Sequence, residues 1–532
     1  MYLIDQHTKK IMEECKERAR DAGLRFAPDT LEYVVTNRDM LELSPKVMIP
    51  TLYDYWVHDV EVLKEIGKYK ISPANPYETV INSRPAISFY NDNNPDWLNI
   101  MIFYHVLAHI DFFQNNKMFE RTWHDDFVGQ ALADKRLIAQ LRTEKGRWVD
   151  YVLEFSRAIN NLNGYFPELF HSNLTEEMQP SSKLDFYFGN FLQAIVGVPE
   201  SDIYKDVARY NVLLAENESI AESLFFSEMR SRYPEFQAKY AQHLLQIEQT
   251  PRPLDVMEFI RDNSPFLKKD NNQWMKSVMS IVRNTSIYFE PQIRTKIINE
   301  GWASYWHDTL FRKDERIKGH EIEYARINAY VTSVSRAGLN PYAIGLRLVQ
   351  HVEDLANQGK LTYQFEKIMD SEIRQNYDLK TNKGQQAIFS LRRNFSDFML
   401  IKSFTSQDFV DEHNLFVLGQ KFDQQRQVTQ YYVKSRKAAD YEKMLVDSLY
   451  HPPYITIDLE ATNDETIRLT HHFEGKELIR EFIGNTMLGI EFLWGGSVEL
   501  DTTEMVSKNN GNPTYRKVRY LMQDKQLHKT NL

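Results

Sequence analysis

The stretch FYHVLAHIDFFQNN sets His105 and His109 four residues apart in an otherwise apolar run. On a helix, positions i and i+4 share a face about one turn apart, so both rings can converge on a single ion. Zinc helices of the pattern H-E-x-x-H use this spacing: neutral imidazoles bind the metal, and the glutamate after the first histidine is the general base. Here Val106 follows His105, so that base is absent. The 15 histidines of the chain would place roughly one such pair, or somewhat fewer, at random. On this segment alone, a metal site and a pair of hydrogen-bonded core histidines both remain open.

A second segment, KIINEGWASYWHDTL, changes the balance. Glu300, Ser304 and His307 recur there at helical spacing on one face. Zinc peptidases of the gluzincin type take their third ligand from a second helix that often begins Asn-Glu-Gly, an aromatic residue, then Ala, and the run from Asn299 to Ala303 resembles that helix. A carboxylate at Glu300 would complete a His, His, Glu set with an open fourth position for water. The plainer alternative is a helix start whose glutamate sits near the positive end of the dipole.

Other schemes fit less of the chain. His-Asp dyads at His58/Asp59, His124/Asp125 and His307/Asp308 allow an H, HD, D ligand order of the kind used by helical phosphohydrolases, although TWHDDF also reads as a capped helix start. A di-iron bundle needs two Glu-x-x-His pairs, and only Glu168/His171 has that spacing. In place of the missing base, Asp111 is the nearest acid. It lies about 200° round a regular helix from His109, which suits ligand orientation or a structural hydrogen bond better than contact with the ion. His307 is the other candidate, as general acid or base, or as a fourth ligand that would close the site.

Composition bounds the rest. A chain of 532 residues with 13% aromatic content is long enough for two or more domains and is not the composition of a disordered protein. One cysteine, Cys15, permits neither an internal disulfide nor a Cys-rich zinc spacing, which suits a reducing compartment. The first twenty residues lack the apolar core of a signal peptide, and no run approaches a membrane span. A cytoplasmic, soluble protein is therefore expected. A net charge of -10 gives no general attraction to nucleic acid or to an anionic membrane, and the mixed tail YRKVRYLMQDKQLHK reads as a solvated edge.

These residues need elements to position them. From about Thr51 to Ile401 apolar residues return every three and four positions, which predicts a mainly helical body broken at SPANPYE, YNDNNPDW and AGLNPY. After about residue 423 the order becomes strand, helix, strand, strand, helix, strand. This βαββαβ order predicts a ferredoxin-like α+β domain over 423–532, following a zincin-like helical domain over 1–422.

With HVLAHIDFFQNN, NEGWASYWH and GLNPYAIG in view, the chain resembles the SpoVR family, named for stage V sporulation protein R. The match runs from YETVINSRPAISF through DFMLIKSF to LWGGSVELDTTE. Its motifs fall on His105, His109, Asp111, Phe112, Phe113, Asn116, Asn299, Glu300, Gly301, Trp302 and His307, and on Asn340, Pro341, Tyr342 and Gly345; Ala108 stands where relatives commonly have Gly. The resemblance implies a cytoplasmic bacterial protein tied to spore cortex formation or, outside spore formers, to stress. It also implies as partners a PrkA-type serine kinase and a further protein of its operon. It supplies no settled reaction.

The combined expectation is one divalent transition metal, with zinc first, held by His105, His109 and Glu300, and with His307 and Asp111 as polar neighbours in catalysis. The reaction would be hydrolysis of an amide or peptide-like bond. The alternative is a non-catalytic scaffold or regulator in a kinase-associated complex, which the missing glutamate at 106 favours. The polar segment HEIEYARINAYV offers Glu321, Glu323 and Arg326 either to a cleft or to a solvated helical face.

Overall fold

The computed structural model describes residues 2–36, 39, 78–123, 127–160, 182–198, 200–216, 220–249, 255–334, 339–423, 427–449, 453–473, 477–509 and 512–532. The helical pattern at 51–67, the dyads at His58 and His124, and the Glu168/His171 pair lie outside these residues. The chain forms two compact units, one of Met1–His171, Pro253–Arg347 and Ser396–Leu532, the other of Ser172–Arg252 and Leu348–Phe395. Residues 423–532 thus fall in one unit with the N-terminal residues, and no boundary between compact units appears at 422.

In the first unit, a four-stranded sheet has the order β1 (Tyr2–Leu3), β2 (Thr30–Val35), β4 (Ala86–Asn91), β3 (Glu78–Ile81). β2 and β4 run parallel, and β3 lies antiparallel to β4 at one edge. These strands were not foreseen, because two to six residues give too short a period-2 signal to stand out beside long helices. The expected helical character is otherwise found. Among the helices are α1 (Gln6–Asp21), α2 (Asp96–Asn115), α3 (Trp148–Asn160), α4 (Gln273–Arg294), α5 (Lys296–Phe311), α6 (Glu321–Val331), α7 (Pro341–Asn357) and α8 (Asp397–Phe404).

Farther along, each C-terminal element forms about where its pattern places it, but the pairing differs from a ferredoxin-like sheet. β6 (Val428–Ser435) pairs with β5 (Val417–Asp423) as a separate ribbon, then α9 (Ala438–Ser448) follows. β7 (Tyr454–Ile457), β8 (Thr466–His472), β9 (Ser497–Asn509), β10 (Asn512–Gln523) and β11 (Gln526–Asn531) make a five-stranded sheet in that order. β8 and β9 are parallel, joined by α10 (Arg480–Trp494). Gly495, at φ +83°, ends that helix in the left-handed region that glycine enters without steric cost. The tail is not a solvated edge throughout: Val518, Tyr520 and Met522 of β10 turn inward at period 2, and only β11 is exposed along its length.

One apolar core joins these parts. Val149, Val152 and Leu153 of α3, Val278, Met279 and Val282 of α4, Met487, Ile490 and Leu493 of α10, and Ile467, Val498 and Tyr520 of the sheet belong to it. This shared core explains why the C-terminal elements do not separate as a domain of their own. The second unit has its own centre, an aromatic cluster of Tyr187, Phe191, Phe225, Phe226 and Phe236. Tyr187 meets Phe225, Phe226 and Phe236 edge to face, the arrangement that ring quadrupoles favour.

A half-buried ion-pair cluster anchors α2 to α1. Asp314 accepts from the Tyr104 hydroxyl at 2.7 Å and from Arg316 Nη2 at 2.5 Å, while Arg316 Nη1 reaches Glu14 at 2.7 Å. Burial would raise the Asp314 carboxyl, but Arg316 and Tyr104 outweigh it and hold the pKa at about 2. A carboxylate depressed in the folded state stabilises it above its unfolded pKa, near 3.8, and loses that contribution as pH falls toward 2. With screening on the water-exposed side of Arg316, this amounts to about 1–2 kcal/mol. Urea midpoints at pH 6 and pH 3 should therefore fall more for the wild type than for Asp314→Asn.

Candidate metal centre

Most helices hide one face, but α2 is buried on all sides from Leu98 to Phe113. Its run of Ile, Leu, Phe and Val leaves no polar face for water, so it can exist only in the interior. His105 and His109 are 6% and 8% exposed. Against α2 lies α5, which carries Glu300 and enters its helix through an unusual cap. The carboxylate of Asp397, from the start of α8, accepts the backbone N–H groups of Ile297 at 2.9 Å and Ile298 at 2.8 Å. Donors that a helix start leaves unmet are thereby satisfied from a segment about a hundred residues away. Burial pushes Asp397 up to about 7 despite these bonds.

The two segments meet as their spacing predicts. Glu300 Oε2 lies 3.8 Å from His105 Nε2 and 3.5 Å from His109 Nε2, and one ligand atom from each of the three residues falls within 4.8 Å of the others. A tetrahedral ion with bonds of about 2.0–2.1 Å separates its ligand atoms by roughly 3.3 Å. Glu300 Oε2 is buried and makes no hydrogen bond. Burial would raise this carboxyl, yet His105 and the charge of His109 hold it below its ordinary range. His105 moves the other way, with burial pulling it down and Glu300 and Glu78 carrying it above.

The far nitrogens of both rings are tied back. His109 Nδ1 meets Asn299 Oδ1 at 2.9 Å; an amide oxygen only accepts, so Nδ1 carries a proton and Nε2 is the nitrogen that faces Glu300, where an ion would take its lone pair in place of a proton. His105 is fixed through a longer relay. Asp308 accepts from Arg312, from Tyr324 and from Asn328 Nδ2, which leaves Asn328 Oδ1 to accept from His307 Nε2 at 3.1 Å. His307 Nδ1 then accepts from His105 Nδ1 at 2.9 Å, which leaves His105 Nε2 as the nitrogen that faces Glu300. Burial, with repulsion from the other two imidazoles, lowers His307 to about 3, in keeping with a neutral ring.

His307 therefore touches the far side of His105, and both of its nitrogens are engaged. Asp111 is turned away from the three convergent groups. Its carboxylate takes Arg25 N at 2.7 Å and Trp302 Nε1 at 3.0 Å, tying α2 to the segment after α1 and to α5. On α6, Glu321, Glu323 and Arg326 are exposed, the solvated-face alternative, while Tyr324 and Asn328 point inward. Tyr342 stacks on His105 with ring centroids 6.1 Å apart. Its hydroxyl is raised by burial and by the charges of Glu300 and Glu78.

The roles of Asn299, Asn328 and Glu78 were missed in the sequence. Only Asn299 left a signal, as the neighbour of Glu300 in NEG. Because ligand-orienting bonds of this kind are worth 10–100-fold in metal affinity, Asn299→Ala should weaken zinc binding by about that factor with the fold intact, as measured by competition with a chromophoric chelator.

These residues fit a divalent transition metal: two imidazole Nε2 atoms face a buried carboxylate oxygen that has no hydrogen bond of its own. Among the described residues, no helix is long and apolar enough to cross a membrane. No solved structure matches the chain. A curated protein of Escherichia coli (strain K12), "Uncharacterized protein YcgB", is 24% identical over 334 residues, which span 60% of this chain and 58% of that protein. The profile of the SpoVR-like protein family matches residues 5–450, and the chain belongs to that family.

Proposed function

We propose that His105, His109 and Glu300 hold one divalent transition metal, zinc in the first instance, and that the chain is a cytoplasmic hydrolase of an amide or peptide-like bond. The observation that carries this reading is the convergence of two imidazole Nε2 atoms and the hydrogen-bond-free Glu300 Oε2, with the opposite ring nitrogens engaged elsewhere. When bound, such an ion polarises a carbonyl and lowers the pKa of water toward roughly 7. The protein's own part is to set the tautomers: Asn299 and His307 act as positioning residues, and Asp111 holds α2 against α5. A sheet, a helix with the histidine pair and a second helix with the carboxylate make a zincin-like order. On this reading the substrate is a peptidoglycan precursor of the spore cortex or a peptide-like target in a stress response.

Metal analysis tests the first half. Wild-type protein purified without chelators should carry about one ion per chain, and His109→Ala should carry none. A second reading has one observation in its favour, the valine at 106 where zinc helices carry their base. It makes the chain a scaffold or regulator alongside a PrkA-type kinase and its operon partner. In that case the biological effect survives loss of the metal.

A further inference from the structure

With Val106 where zinc helices carry their base, a substitute would have to stand in the cleft onto which His105 opens. This cavity, about 450 Å³, is lined by Met101, Ile102 and His105 of α2, by His307 and Asn328, and by Asn340 and Tyr342. Its volume is in the range of small-molecule and peptide sites. Among the described residues lining it, one carries a carboxylate: Glu78.

The position of Glu78 follows from strand register. Glu78 opens β3, the edge strand, and pairs with Tyr90 of β4. Directly paired residues of an antiparallel ladder project to the same face. Tyr90 packs edge to face on Phe103 of α2, with ring centroids 4.8 Å apart. Glu78 is therefore on the sheet face turned toward the histidine helix, and it lines the same cavity as His105. Its charge acts on both His105 and Tyr342.

Resting on the metal-hydrolase reading above, we infer that Glu78 is the catalytic carboxylate of this site, brought from the edge strand in place of the glutamate that zinc helices carry after their first histidine. In the reaction, a water oxygen bonds to the carbonyl carbon while the Glu78 carboxylate takes one of its protons. As the carbon–nitrogen bond breaks, that proton passes from Glu78 to the departing nitrogen. The second proton stays on the new carboxyl group, so water is the only co-reactant and Glu78 is regenerated.

Acetohydroxamate is a suitable probe, because it chelates zinc through its two oxygens while its acidic hydroxyl needs a nearby carboxylate to receive the proton. Titrated calorimetrically into zinc-loaded protein, it should bind Glu78→Gln about tenfold or more weakly than wild type, as expected for loss of a charge-assisted hydrogen bond. Glu78→Asp should fall between, with zinc content and circular dichroism unchanged in both. Equal affinity in wild type and Glu78→Gln, with zinc retained, overturns the role of Glu78 and leaves the metal centre standing. Wild-type protein that holds no zinc, or hydroxamate binding indifferent to zinc, overturns the metal reading and this inference with it.

Discussion

Gly345→Ala is expected to destabilise the fold by about 3 kcal/mol or more, the upper end for overpacking. A Cβ at Gly345 would stand 2.0 Å from the Ile297 carbonyl oxygen and 2.8 Å from Gly301 Cα. A Cβ at Gly301 would stand 2.2 Å from the Gly345 carbonyl carbon. Every one of these contacts is with backbone, which has no rotamer to escape into, so α5 and the start of α7 would have to part. Glu300 precedes one of these glycines and Tyr342 sits one turn before the other, so separation also disturbs the site. Gly484→Ala, in α10, is the control. Its Cβ would meet only Leu527 Cδ2 at 3.6 Å, and alanine gains roughly 0.5–1 kcal/mol over glycine inside a helix. Chemical denaturation should separate the two glycines by their opposite signs, and a neutral Gly345→Ala would refute the close approach.

Zinc should stabilise the wild type strongly and leave Glu300→Gln unmoved. A ligand that binds only the folded state adds RT ln(1 + [L]/Kd), about 4 kcal/mol at a thousandfold excess over Kd. Without zinc the difference between the two proteins shrinks to what the Glu300 carboxylate gains from His105 and His109. Thermal unfolding of both proteins, with and without zinc, distinguishes a metal ligand from a glutamate that merely starts a helix. Equal shifts in the two proteins would remove Glu300 from the ligand set.

The convergence of His105, His109 and Glu300 was legible because its signal is local. His105 and His109 share a helical face by spacing alone, and Glu300 announced itself through the residues around it. Asp111 shows how far helical phase can be trusted: its angle from His109 turned it away from the pair, and it bonds Trp302 and Arg25. What stayed hidden depends on contacts between distant segments. Nothing in β3 and β4 distinguishes short strands from helix fragments until they pair, so Glu78 could not be brought near His105. The elements after residue 423 were readable one by one, but whether β6 joins the five-stranded sheet or pairs with β5 is decided by packing. The shared core of α3, α4 and α10 takes the place of the expected boundary.

An all-buried α2 also constrains how this protein can change over time. Between residues 98 and 113 no position faces water, so a larger or smaller side chain there must be matched by a neighbour on α1, α5 or the sheet. Drift along that helix comes in compensated sets, whereas the exposed side of α6, only one helix away, is free to vary residue by residue.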